Sequence, residues 1–143
     1  MQEFYAKNEQ KALIDAARAA RLQSYSPYSH FQVGAALLTK DGEIFTGCNI
    51  ESVSLSPTNC AERTALFKAV SEGKREFSAI AIVGAIEGRE LDFCSPCGVC
   101  RQALREFCDP DTFQILLARE DYLTREYSLE ELLPEGFGPG SLA

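Results

Sequence analysis

Ser78-Ala-Ile-Ala-Ile-Val-Gly-Ala-Ile86 is nearly all apolar, the pattern of a strand buried on both faces. After a charged loop, Ser95-Pro96 supplies a helix-start signal, Gly98 to Phe107 can form a helix, and Phe113-Gln-Ile-Leu-Leu-Ala118 reads as a second buried strand. Strand, helix and strand in that order predict a right-handed crossover with the two strands parallel. Upstream, Ser56-Pro57 gives the same start signal for a helix running to about Glu72, with Asn59 as a rival cap and Gly73 as the stop. Phe31 to Thr39 and Ile44 to Asn49 are β-rich and flank Asp41-Gly42, which predicts a hairpin. Leu13, Ala16, Ala17 and Ala20 fall at helical spacing in an amphipathic first helix over about Asn8 to Leu22, broken by Tyr25-Ser-Pro-Tyr-Ser29. Ser128-Leu-Glu-Glu131 is a capping box that opens a short last helix, and residues from about Gly136 to Ala143 form a Gly- and Pro-rich tail. The expected fold class is α/β: three layers, a mixed sheet between helices on both faces.

The 143 residues suffice for one domain with a real core and are too few for two of ordinary size. With 45% hydrophobic and 24% charged residues the chain has the composition of a globular protein. Its formal charge of −7 and the lack of any basic run argue against nucleic acid as partner, because such binding draws its affinity from Lys and Arg on phosphates. No stretch resembles a signal peptide or approaches the ~20 apolar residues of a membrane span, so a cytoplasmic protein is expected. Six Cys in a reducing compartment are then better explained by metal or packing than by disulfides.

Position decides which. Cys60-Ala61-Glu62 is followed by Pro96-Cys97-Gly98-Val99-Cys100. Two thiolates separated by two residues can turn onto one ion, and a third from a distant helix leaves one tetrahedral position open for water, as catalytic zinc requires. Cys-x-x-Cys alone would also suit a redox protein or a structural zinc site. Both cysteine segments follow a Ser-Pro helix start, which puts the thiols in first turns where free N–H groups and the helix dipole favour thiolate. Glu62 has two readings. Asn59 and Glu62 fit the spacing of a capping box, whereas a carboxylate beside a metal-bound water suits general acid/base work, and the neighbouring Cys60 favours the second.

These segments resemble the zinc deaminase signature of His or Cys, any residue, Glu, then Pro-Cys-x-x-Cys, here in a three-cysteine form. The only histidine, His30, lies outside it and reads as a surface or loop residue. The likeness extends to Tyr25-Ser-Pro-Tyr-Ser-His-Phe-Gln-Val-Gly-Ala-Ala-Leu-Leu38, Gly47-Cys-Asn-Ile-Glu51, Cys60-Ala-Glu-Arg-Thr-Ala65, Pro96-Cys-Gly-Val-Cys-Arg-Gln102 and Glu131-Leu-Leu-Pro134. Over nearly its whole length the chain is similar to the small homotetrameric cytidine deaminases. That resemblance implies one Zn²⁺ per subunit on Cys60, Cys97 and Cys100, Glu62 as proton carrier, and hydrolytic deamination of cytidine and deoxycytidine. It further implies that Phe31 stacks on the pyrimidine, Asn49 and Glu51 bond the sugar hydroxyls, and Phe137 closes the pocket of a neighbouring subunit. Arg63 is expected behind the metal, because three thiolates on a divalent ion leave net negative charge that a nearby cation must offset.

The chain departs from its family after Asn49-Ile50-Glu51. Ser52-Val53-Ser54-Leu55 stands where the family carries Asn-Ala and then an aromatic three residues after the Asn, which bears on substrate preference and assembly. Cys48, Cys94 and Cys108 are read as packing residues, although Cys94, three before Cys97, is a conceivable ligand. Two alternatives stay open: a deaminase of another small aminopyrimidine nucleoside, and a non-catalytic zinc-stabilised binding module.

Overall fold

The computed structural model describes residues 1–143. In chain order the elements are β1 (Gln2–Tyr5), α1 (Asn8–Arg21), β2 (Phe31–Thr39), β3 (Ile44–Cys48), α2 (Ala61–Ser71), β4 (Phe77–Ile86), α3 (Gly98–Phe107), β5 (Gln114–Ala118), β6 (Leu123–Ser128) and α4 (Leu129–Leu132), with a closing 3₁₀ turn at Pro139–Leu142. The six strands form one sheet in the order β1-β6-β5-β4-β2-β3. Only β4 and β5 run parallel, joined by the α3 crossover, as a strand-helix-strand unit must be. No helix is long and apolar enough to cross a membrane.

Alternation along β4 explains why its sequence is apolar throughout. Ala79, Ala81 and Val83 face α1, where Leu13, Ile14 and Ala17 complete one buried cluster. Ile80 and Ile82 face the other layer and pack with Ala65, Leu66 and Ala69 of α2, Leu104 of α3 and Leu129 of α4. Burying a large aliphatic side chain on either face stabilises the fold by about 1.5–3 kcal/mol. Helix α2 lies so close to β3 that a Cβ on Gly47 would come within 2.5 Å of the Ala61 carbonyl oxygen and of the Ala65 nitrogen, so only glycine permits this contact.

One expectation needs correction, and two strands lie outside what the sequence pattern predicts. The Ser56-Pro57 signal does not start a helix: α2 begins at Ala61 with Cys60 as its N-cap. Ile50 and Asn59 exchange backbone hydrogen bonds, each 2.9 Å, which closes residues 50–59 into a loop and leaves Pro57 inside it. Strands β1 and β6 lack the apolar alternation that would announce them; their partners fix them instead, β6 along β5 and β1 along β6. The last helix opens as expected, with the Ser128 hydroxyl accepting from the Glu131 nitrogen at 3.1 Å.

The topology gathers particular residues at one end of the sheet. Because β2 is antiparallel to both neighbours, its first residue, Phe31, pairs with Ile86 at the end of β4, and Gly34 pairs with Cys48 at the end of β3. The loops leaving β3 and β4 lead to the N-termini of α2 and α3. Phe31, Asn49, Glu51, Cys60 and Cys97 therefore converge.

Candidate active site

Cys60 and Cys97 occupy the N-cap positions of α2 and α3, both with extended backbone, and Cys100 is in the first turn of α3. Neither cap position uses its side chain to bond the helix, so the sulfurs are free to turn toward each other. All three lie within 4.8 Å of one another, and the Cys60 and Cys97 sulfurs are 3.7 Å apart. Tetrahedral zinc with Zn–S bonds of ~2.3 Å sets its sulfurs about 3.8 Å apart, so the geometry fits that ion. No other group of three His, Cys, Asp or Glu side chains converges in this way.

Arg63 lies in the first turn of α2 and donates through Nη2 to the Cys60 sulfur at 3.5 Å. Its Nε is buried without a partner. The Cys60 thiol is held down at about 5, chiefly by the hydrogen bond from Cys100, with Arg63 adding to it, while its role as donor to Cys60 pushes the Cys100 thiol up. The guanidinium of Arg63 thus stands against the sulfur cluster on the side of Cys60.

Glu62 is 4% exposed, and burial pushes its carboxyl up to about 7. It does not cap the helix: Cys60 is the N-cap, and the Asn59 amide donates to the Thr64 hydroxyl at 3.2 Å. The carboxyl instead lines a cleft of about 270 Å³ together with Cys60, Cys97, Phe31, Asn49 and Glu51. A larger groove of about 660 Å³ runs between α2 and α3 on another face and carries exposed Phe67 and Val99.

At the other end of the cleft, polar side chains are tightly engaged. The Asn49 carbonyl accepts from the Ser24 hydroxyl at 2.5 Å and from the Val33 nitrogen at 2.9 Å, and its amide donates to the Phe31 carbonyl at 2.7 Å. One amide hydrogen remains for a ligand. Glu51 accepts from the backbone nitrogens of Tyr28 (3.0 Å) and Ser29 (3.2 Å) and from the Ser29 hydroxyl, which holds its carboxyl below the usual range. Sequence reasoning missed Ser24 and Ser29: Ser24 precedes the breaker, and Ser29 reads only as part of the breaker and of the family-like stretch from Tyr25 to Leu38, with no role of its own.

Of the expected site residues, Cys100 and Arg63 belong to the sulfur cluster and its surroundings rather than to the cleft lining, and Phe137 stands apart from both. Its carbonyl accepts from the Gln102 amide at 2.8 Å, and its ring is 61% exposed. Cys94 is outside the sulfur cluster but lines the cleft, and its sulfur would lie 2.8 Å from a Cβ on Gly84; the Phe31 ring edge would lie at 3.1 Å. Burial pushes the Cys94 thiol up to about 12, so it is a neutral wall. Cys108 is buried core, and His30 is an exposed loop residue.

Three sulfurs that could hold a metal ion thus stand beside a buried carboxyl, at a cleft at one end of a mixed sheet. The family model described as "Cytidine and deoxycytidylate deaminase zinc-binding region" matches residues 7–116. A cytidine deaminase from Sporosarcina psychrophila is 48% identical over 131 residues, 92% of this chain and 93% of that one. One from Halalkalibacterium halodurans is 49% identical over 90% of this chain and 94% of its own. The crystal structure of cytidine deaminase from Burkholderia pseudomallei superposes with a TM-score of 0.81 at 47% identity, covering 92% of this chain and all of the other. The chain belongs to the zinc-binding cytidine and deoxycytidylate deaminase family.

Proposed function

We propose that this protein hydrolyses cytidine and deoxycytidine to uridine and deoxyuridine with release of ammonia, using one zinc per subunit on Cys60, Cys97 and Cys100. The observation that carries this reading is the buried Glu62 carboxyl on the same cleft wall as the three-sulfur cluster. When bound, zinc makes water a competent nucleophile near neutral pH by lowering its pKa toward ~7.

The chain's own residues do the rest. Glu62 takes a proton from the attacking water and delivers it to ring nitrogen-3 while the water oxygen bonds to C4. Glu62 then carries the second proton to the 4-amino group, the C4–N bond breaks, and ammonia leaves. A carboxyl whose burial lifts it to about 7 is matched to both roles, since proton transfer is most efficient when the carrier's pKa lies near the working pH. Arg63 offsets the excess negative charge of three thiolates. Phe31 stacks on the base, and Asn49 and Glu51 hold the sugar, for which Asn49 keeps a free amide hydrogen and Glu51 its remaining lone pairs.

The active form is a homotetramer in this proposal. Phe137 lies away from its own chain's cleft and is free to close a neighbour's, and the exposed Phe67 and Val99 beside the α2/α3 groove supply apolar surface for subunit contact. The test combines absorbance change and ammonia release on a panel of cytidine, deoxycytidine, cytosine and aminopyrimidine analogues with zinc content and sedimentation of the same sample. A folded, zinc-loaded protein that released no ammonia from any of these would leave only the binding-module reading.

A further inference from the structure

The loop ahead of β2 is organised around one carboxylate. Glu51 Oε1 accepts from the nitrogens of Tyr28 and Ser29 at 3.0 and 3.2 Å, and Oε2 accepts from the Ser29 hydroxyl. The same hydroxyl oxygen accepts from the Phe31 nitrogen at 3.0 Å. Between them His30 takes a left-handed backbone, φ 58°, with its nitrogen donating to the Ser26 carbonyl at 2.9 Å and its carbonyl accepting from the Glu87 nitrogen at 2.8 Å. A group in this place must donate to a carboxylate and accept from an N–H at once, which a hydroxyl can do and an alkyl side chain cannot.

We propose that Ser29 is a positioning residue whose hydroxyl fixes Glu51 and Phe31 in one register, so that the sugar and the base are held by a single unit. Ser29 itself lines the cleft beside both. The inference rests on the reading that Glu51 meets the sugar hydroxyls. Serine-backbone bonds across two residues also occur as ordinary turn devices, and such a device would support the loop without affecting one substrate more than another.

The experiment compares Ser29→Ala and Ser29→Thr as zinc-loaded full-length protein on cytidine and on 2′,3′-dideoxycytidine. Losing a hydrogen bond to a charged group should raise KM for cytidine by about tenfold or more, with kcat changed by less than about threefold because Glu62 and the metal ligands are at the other end of the cleft. The loss on the dideoxy substrate should be several-fold smaller, and Ser29→Thr, which keeps the hydroxyl, should restore most of the cytidine KM. An equal loss on both substrates, or an equal loss in Thr and Ala, would overturn the proposal. If the unsubstituted protein does not prefer cytidine to the dideoxy substrate, the failure belongs to the sugar reading of Glu51 instead. Should Ser29→Ala not fold, Ser29→Cys keeps the volume while weakening both bonds, and the same ordering of substrates decides.

Discussion

Replacing Glu62 by Gln separates what the carboxyl does for the fold from what it does for the reaction. In the folded chain the side chain is 4% exposed, and burial moves its carboxyl from the ordinary 4.5 to about 7. A raised carboxyl pKa means that ionisation opposes folding. Below about 4.5 both folded and unfolded chains carry the proton and the cost is absent; as pH rises toward 7 the unfolded chain ionises first, and stability falls until the full cost is reached above 7. The shift corresponds to about 3 kcal/mol. Glu62→Gln removes the titrating proton, so urea unfolding of the zinc-stripped, reduced proteins should give similar stabilities near pH 4.5 and a gain of up to about 3 kcal/mol for the variant at pH 8. Zinc-loaded Glu62→Gln should keep the metal but lose ~10²–10⁴ or more in turnover, because one positioned acid/base contributes that much and Glu62 acts twice. A stability difference that does not change with pH would refute the burial argument. Near-normal ammonia release by the zinc-loaded variant would refute the mechanism.

Cys100→Ala should lose zinc and activity together, whereas Cys94→Ala and Cys108→Ala should retain zinc; metal loss in Cys94→Ala as complete as in Cys100→Ala would overturn the ligand set. Gly47→Ala should lower zinc content and activity, since the new Cβ would press at 2.5 Å on backbone atoms of Ala61 and Ala65 and move the α2 N-terminus that carries Cys60 and Glu62; an unchanged zinc affinity would show that the helix yields elsewhere. Leu55, with φ 51° and 77% of its surface exposed, packs into no core of its own chain, so Leu55→Tyr should alter the ratio of specificity constants among nucleosides more than the chemical step. An unchanged ratio would make Leu55 a bystander.

The fold was legible where burial left a period. Ser78 to Ile86 has to be buried on both faces, and a central strand flanked by β2 and β5 under α1 and α2 is the consequence. Leu123-Thr-Arg-Glu-Tyr-Ser128 and Gln2-Glu-Phe-Tyr5 carry too much polarity to show such a period. Their strand character comes from hydrogen bonds to a partner already in place, information that lies in β5 and not in their own side chains. Ser56-Pro57 failed for a related reason. Local chemistry permits a helix start there, but the pairing of Ile50 with Asn59 holds the segment in a loop and passes the cap to Cys60.

The site divides along the same line. Cys60 with Glu62, and Cys97 with Cys100, sit within single helical turns, so spacing along the chain already constrains their spacing in space, and a metal site could be read from the letters. The opposite wall of the cleft is built across the sheet. Asn49 reaches Val33 because β2 and β3 pair with Gly34 opposite Cys48, and Ser29 reaches Glu51 across 22 residues of sequence. No local period encodes such a contact. A serine in a loop before a strand has the same letter whether its hydroxyl faces solvent or ties two cleft-lining residues together, and only the register of the hairpin distinguishes them. This is why a candidate metal site could be read from spacing, whereas Ser24 and Ser29, which hold Asn49 and Glu51 in place, required the fold.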